Sequence, residues 1–173
     1  DPWTFNQKNL MKCCKEFLLP GGKQVPFCAY NTVGYREQAR AQVADLVGAH
    51  PSQVVFTSGA TEANNLAIKG VAVAARTPGH IAIGATEHPS VRGAAESLRG
   101  RGWRIEAVAV DDQGRLREES LQDALRTDTV LVSLMWANNE TGTLQDIAGL
   151  SRWVGRHGAL LHTDAAQAAG KVA

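Results

Sequence analysis

The chain has 173 residues, 44% apolar and 20% charged, with a formal net charge of +1. That length supports one substantial hydrophobic core, and the near-neutral balance gives no electrostatic footprint for nucleic acid or a membrane surface. No apolar run reaches the roughly 18 residues of a spanning helix, and the opening DPWTFNQKNLMKCCKEF lacks the basic and apolar regions of a secretory signal. The expectation is an intracellular, cytoplasmic protein. Cys13 and Cys14 are adjacent and Cys28 stands alone; such spacing suits neither a simple disulfide nor a zinc site, so they read as reduced thiols.

Two patterns meet near residue 31. Residues 1–30 form an irregular segment, broken at Pro20, Gly21 and Gly22, in which KNLMKCCKEFLL is compatible with a short helix. Its Leu10, Met11, Cys14, Phe17 and Leu18 would lie near one face. Residues 31–173 are regular. GYREQARAQVADLVGA reads as an amphipathic helix with Ala39, Val43, Leu46 and Val47 on one stripe. QVVFTSG follows as a short buried strand, TEANNLAIKGVAVAAR as a helix, HIAIGA as a strand and SVRGAAESLRGRG as a helix. RIEAVAVD is then a strand, EESLQDALR a helix, TVLVSLMWA a strand, DIAGLSRWVGRHG a helix and ALLHTDA a strand. This alternation predicts an α/β fold, a three-layer sandwich with a mostly parallel sheet covered on both faces.

In open α/β sheets, chemistry gathers at the carboxyl ends of the strands, and four such ends carry polar residues. In TSGATEANN, residues 57–65, Gly59 permits a sharp turn and a helix starts near Thr61. Its free N–H groups and positive dipole end suit an anion, although Ser58 or Thr61 could equally cap the helix. Neither G-x-G-x-x-G nor G-K-[ST] is present. In ATEHPSV, His88 precedes Pro89, a residue suited to the first helical position. A histidine there can stack on a heteroaromatic ring and move protons near neutral pH, or simply sit in a surface loop. WANNETG offers paired amides, or a turn built on Asn and Gly. In LLHTDAAQAAGK, Asp164 directly follows a buried strand and needs a partner; it either caps the next helix or faces a protonated ring nitrogen, with Gln167 three residues on.

With those segments in view, FTSGATEANNLAIKG, TEHPSV, LVSLMWANNETGTLQDI and HTDAAQAAGKV resemble the cysteine desulfurase and selenocysteine lyase family, within the class V aminotransferases. The resemblance runs from about Gly34 to Ala173. It implies part of the large domain of a fold-type-I transferase that uses pyridoxal 5'-phosphate. It implies that Ala60 and Thr61 contact the phosphate, and that His88 stacks on the pyridine ring and takes part in proton movement. Asp164 would bind the pyridine nitrogen, Gln167 the phenolic oxygen, and Asn139 both that oxygen and the substrate carboxylate. The implied reaction removes sulfur from L-cysteine, leaving L-alanine and an enzyme-bound persulfide for a sulfur-acceptor protein, as in iron–sulfur cluster assembly. Selenocysteine lyase, with L-selenocysteine as substrate, or another class V aminotransferase is the alternative. Family members are homodimers.

The departures carry expectations of their own. The family's Schiff-base lysine lies in a Ser-x-His-Lys motif beyond the Asp164 strand, and its sulfur-accepting cysteine and substrate arginine lie further on. None of these is present, so the chain is expected to be a form truncated at its C-terminus and without turnover. Residues 1–30 do not match the family's usual opening.

Overall fold

A computed structural model of the chain describes residues 34–172 and, ahead of them, two short strands at 16–18 and 24–26. The chain divides into two compact units, Asp1–Phe56 and Thr57–Ala173.

In the first unit, β1 (Glu16–Leu18) pairs antiparallel with β2 (Gln24–Pro26). The helix expected over KNLMKCCKEFLL is therefore wrong at its C-terminal end, where the chain is extended and laddered; its remainder and the three cysteines lie outside the described residues. The Pro20, Gly21 and Gly22 break also lies outside the described residues. Helix α1 (Tyr35–Val47) closes on Gly48, whose φ of 64° puts it in the left-handed region and lets its N–H reach the Ala44 and Asp45 carbonyls. Its buried residues are Ala39 and Ala44. The expected stripe is corrected at Val43, Leu46 and Val47, which are 38%, 70% and 61% exposed; nothing among the described residues covers that side. The buried strand expected over QVVFTSG is also absent. Residues 51–53 form a 3-10 turn, and the Val54 carbonyl accepts from Arg40 Nη1 instead of joining a ladder. Val55 is 65% exposed. Without a neighbouring strand, an apolar run has nothing to pair with.

The second unit runs α2 (Ala60–Ala74), β3 (His80–Gly84), α3 (Pro89–Glu96), β4 (Arg104–Val108), α4 (Glu118–Ala124), β5 (Thr129–Ser133), α5 (Ile147–Arg156) and β6 (Leu160–His162). Strands β3 to β6 form a four-stranded sheet in the order β4-β3-β5-β6, every pairing parallel. Alternation along the strands sends side chains to opposite faces. Ile81, Ile83 and Leu131 pack with Ile68, Val91 and Leu98 of the α2 and α3 segments, whereas Ala82 and Val132 pack with Leu121, Leu150 and Val154 of α4 and α5. Helices thus cover both faces, and the three-layer expectation holds. β3 is buried along its whole length, which explains its continuous apolar reading. Each fully buried Ile or Leu contributes about 1.5–3 kcal/mol.

Gly79, just before β3, shows how closely this sheet is entered. A Cβ there would fall 2.8 Å from Val130 Cγ2 and 2.9 Å from the Asp128 carbonyl oxygen. Gly79→Ala is expected to destabilise the chain by about 1–3 kcal/mol through overpacking, read as a lower urea midpoint with an unchanged m-value.

Candidate active site

The three strand ends that survive as strands are neighbours in the sheet. β3 delivers Glu87 and His88, β5 delivers Met135 to Asn139, and β6 delivers Asp164, all beyond the carboxyl edge. The N-terminus of α2 joins them. These ends surround one cleft of about 390 Å3, lined by Ala60, Thr61, His88, Asn139, Asp164 and Gln167. That volume lies in the range of small-molecule sites, about 300–1,000 Å3. A wider depression of about 480 Å3, against Arg115, Trp153 and Arg156, contains none of the residues singled out by the sequence.

The α2 end of the cleft is a helix start without a cap. Gly59 occupies the cap position and no side chain closes it, which leaves first-turn N–H groups for an external acceptor. Ser58 does not serve as the cap: its N–H and hydroxyl both donate to Glu62 Oε2, at 2.6 and 2.7 Å. Those bonds hold the Glu62 carboxyl below its ordinary pKa. The donors at this end include the Ala60 and Thr61 N–H groups and the Thr61 hydroxyl.

His88 caps α3. Ser90 N–H donates to its Nδ1 at 3.1 Å, and the Ser90 hydroxyl lies 2.7 Å from the same nitrogen. An accepting Nδ1 carries no proton, so the proton of the neutral ring sits on Nε2. The structural and functional readings of this histidine are therefore compatible, since one ring nitrogen caps and the other has no hydrogen bond among the described residues.

Asp164 is 7% exposed and is held at both oxygens. Oδ1 accepts from Ala166 N–H at 3.0 Å, closing the turn at 166–171 rather than capping a helix, since none follows among the described residues, and Oδ2 accepts from Asn64 Nδ2 at 2.8 Å. Two of a carboxylate's roughly four acceptor positions remain. The paired asparagines divide their work. Asn138 builds the turn, donating to the Thr86 carbonyl at 3.1 Å and accepting from the N–H groups of Glu140 and Thr141. Asn139 is exposed, faces the cleft and makes no hydrogen bond among the described residues. Gln167 is exposed and accepts from Lys171 Nζ at 2.8 Å, leaving its amide N–H groups to donate.

Two buried polar residues were not singled out from the sequence. Asn64 is 4% exposed and shares the inner side of α2 with Ile68 and Ala72; a polar residue four and eight positions before two apolar ones was the available signal. Glu87 is 3% exposed, its Oε1 accepts from Met135 N–H, and its Oε2 has no partner among the described residues. Burial pushes its pKa up to about 8, against the Met135 hydrogen bond and with a smaller push from the Asp164 charge. Its position beside His88 was the only clue.

The sequence profile of the aminotransferase class-V family matches residues 24–173. The chain belongs to the class V aminotransferase family. Among curated class V relatives, it is 47% identical over 137 residues to cysteine desulfurase IscS of Pseudoalteromonas translucida, covering 79% of this chain and 34% of that protein. The corresponding protein of Neisseria meningitidis is 45% identical over the same length and shares. The chain thus spans about a third of the length of the curated relatives it matches. Among solved structures, DndA from Streptomyces lividans superposes with a TM-score of 0.75 at 39% identity, over 88% of this chain and 43% of that one. SspA in complex with cysteine gives a TM-score of 0.76 at 35% identity, over 82% and 41%. No described helix of this class V chain is long and apolar enough to cross a membrane.

Proposed function

We propose that residues 31–173 are part of the large, cofactor-binding domain of a cysteine desulfurase, which takes sulfur from L-cysteine and leaves L-alanine. The families concerned are dependent on pyridoxal phosphate. The observation that carries the reading is the convergence of four sequence segments, from Ala60 to Gln167, on one cleft. Its donor set fits the cofactor group by group. The uncapped start of α2, with Ala60, Thr61 and the Thr61 hydroxyl, suits a phosphate. The Asp164 carboxylate, with acceptor positions to spare, suits a protonated ring nitrogen. The free amide N–H groups of Asn139 and Gln167 suit a phenolic oxygen, and the His88 ring suits an aromatic face.

When bound, the cofactor supplies an electron sink for the bonds of the substrate's α-carbon and side chain. The chain's own residues do the rest. Asp164 keeps a negative charge beside the ring nitrogen and so holds a proton there. His88 presents Nε2, the nitrogen not used in capping, for proton transfer. Asn139 orients the substrate carboxylate. By the same reading, a sulfur-acceptor protein and a second copy of the chain complete the working assembly, in the cytoplasm.

Among the described residues, neither Lys69 nor Lys171 lines the cleft. By this reading the 173-residue chain is expected to hold pyridoxal phosphate no more than weakly and reversibly, and to show no turnover. A protein carrying these residues together with the attachment lysine and a sulfur-accepting thiol is expected to give alanine and persulfide sulfur from L-cysteine in equal amounts, the sulfur being released as sulfide when a dithiol reductant is added. Amino-group transfer without sulfide would favour another class V activity, and turnover of selenocysteine but not cysteine would favour the lyase. A borohydride-reducible chromophore that survives dialysis on the 173-residue chain would contradict the reversible mode.

A further inference from the structure

Asp164 and His88 come from different strands, yet one continuous run of hydrogen bonds joins them. Asn64 Nδ2 donates to Asp164 Oδ2 at 2.8 Å and to Ser90 Oγ at 3.0 Å. Ser90 Oγ in turn lies 2.7 Å from His88 Nδ1. Chemistry fixes every direction in this run. A carboxylate only accepts, so the nitrogen of the Asn64 amide must face Asp164; the oxygen there would repel it. The two N–H bonds of that nitrogen serve the two acceptors. Ser90 Oγ, having accepted from Asn64, turns its own proton to His88 Nδ1, which the Ser90 backbone N–H already marks as an acceptor. Asn64 is 4% exposed, so water does not compete for these positions.

We infer that Asn64 is a positioning residue of the cleft. Its amide holds the Asp164 carboxylate directly and, through Ser90, the ring of His88, so that the two groups are set relative to each other by one side chain rather than by their separate strands. The functional weight of this inference rests on the cofactor reading above; the hydrogen-bond relay itself does not. Aspartate at position 64 would place a second carboxylate against Asp164 and draw the Ser90 proton away from His88. Leucine would keep the branched shape and remove the relay.

The test is imidazole 1H–15N correlation spectroscopy on the 173-residue chain, with Asn64→Leu and Ser90→Ala compared with the parent. In the parent, His88 is expected as a single tautomer with Nδ1 unprotonated and hydrogen-bonded. Asn64→Leu, which does not touch His88, is expected to move the Nδ1 resonance toward that of a free pyridine-type nitrogen while His80 and His162 stay in place. Ser90→Ala, which removes a single oxygen at a half-buried helix start, covers the case in which Asn64→Leu fails to fold. It is expected to move the same resonance and to speed exchange of the Asn64 side-chain amide protons. Both variants are expected to weaken pyridoxal phosphate binding roughly tenfold. An unchanged His88 ring in folded Asn64→Leu, or an unchanged ring and Asn64 amide in Ser90→Ala, would overturn the inference. If the parent binds no pyridoxal phosphate, the cofactor reading fails while the spectra still decide the relay.

Discussion

Asp164→Asn is expected to lower the affinity of the chain for pyridoxal phosphate about 100-fold, because it removes a charge-assisted contact from a largely desolvated position. The substitution changes almost nothing in shape. The Ala166 N–H can still donate to the side-chain oxygen, but the new amide nitrogen then faces the Asn64 nitrogen, donor against donor. What is lost toward the cleft is the negative charge that makes a ring nitrogen keep its proton. Retention of the parent affinity in Asp164→Asn, measured by the absorbance change of pyridoxal phosphate on titration, would show that the carboxylate does not meet the ligand. Asp164→Ala should bind no better, which separates loss of charge from the new donor clash.

A second large effect concerns stability and comes from Glu87. Its carboxyl is buried and one oxygen has no partner among the described residues, and burial raises its pKa from 4.5 to about 8. Between those values the folded chain holds a proton that the unfolded chain has released. Stability from this group is therefore complete below about pH 4.5 and falls as pH rises toward 8, by about 1.4 kcal/mol per pH unit. Glu87→Gln keeps an oxygen for Met135 N–H and carries no charge. In urea unfolding, the variant is expected to match the parent near pH 5 and to exceed it by a few kcal/mol at pH 8. Parallel stability curves across that interval would mean that the carboxyl titrates normally.

The parts of this fold legible in the sequence are those governed by local pattern. β3 and β5 read as apolar runs because the sheet buries them, and α2, α3, α4 and α5 read as helices because each has one face to bury. The segment at 54–56 failed the same test for a physical reason: an apolar run specifies a strand only when a neighbour completes its ladder, and here the Val54 carbonyl goes to Arg40. β1 failed likewise, since a three-residue strand is defined by its partner and not by its own period. In the cleft, the residues found were those at strand ends with an evident chemistry. Asn64 and Glu87 escaped because their roles depend on contacts 100 and 48 residues away in sequence, with Asp164 and Met135. Asn138 and Asn139 were indistinguishable as residue types; only the turn geometry assigns one to the backbone and the other to the cleft.

The central claim is best tested by mapping where pyridoxal phosphate touches the chain. In backbone amide spectra of the isotopically labelled chain, titration is expected to shift Ala60, Thr61, His88, Asn139, Asp164 and Gln167 together, with one shared affinity. Shifts confined to the depression around Arg115, Trp153 and Arg156, or shifts at the α2 start without any at Asp164, would contradict it.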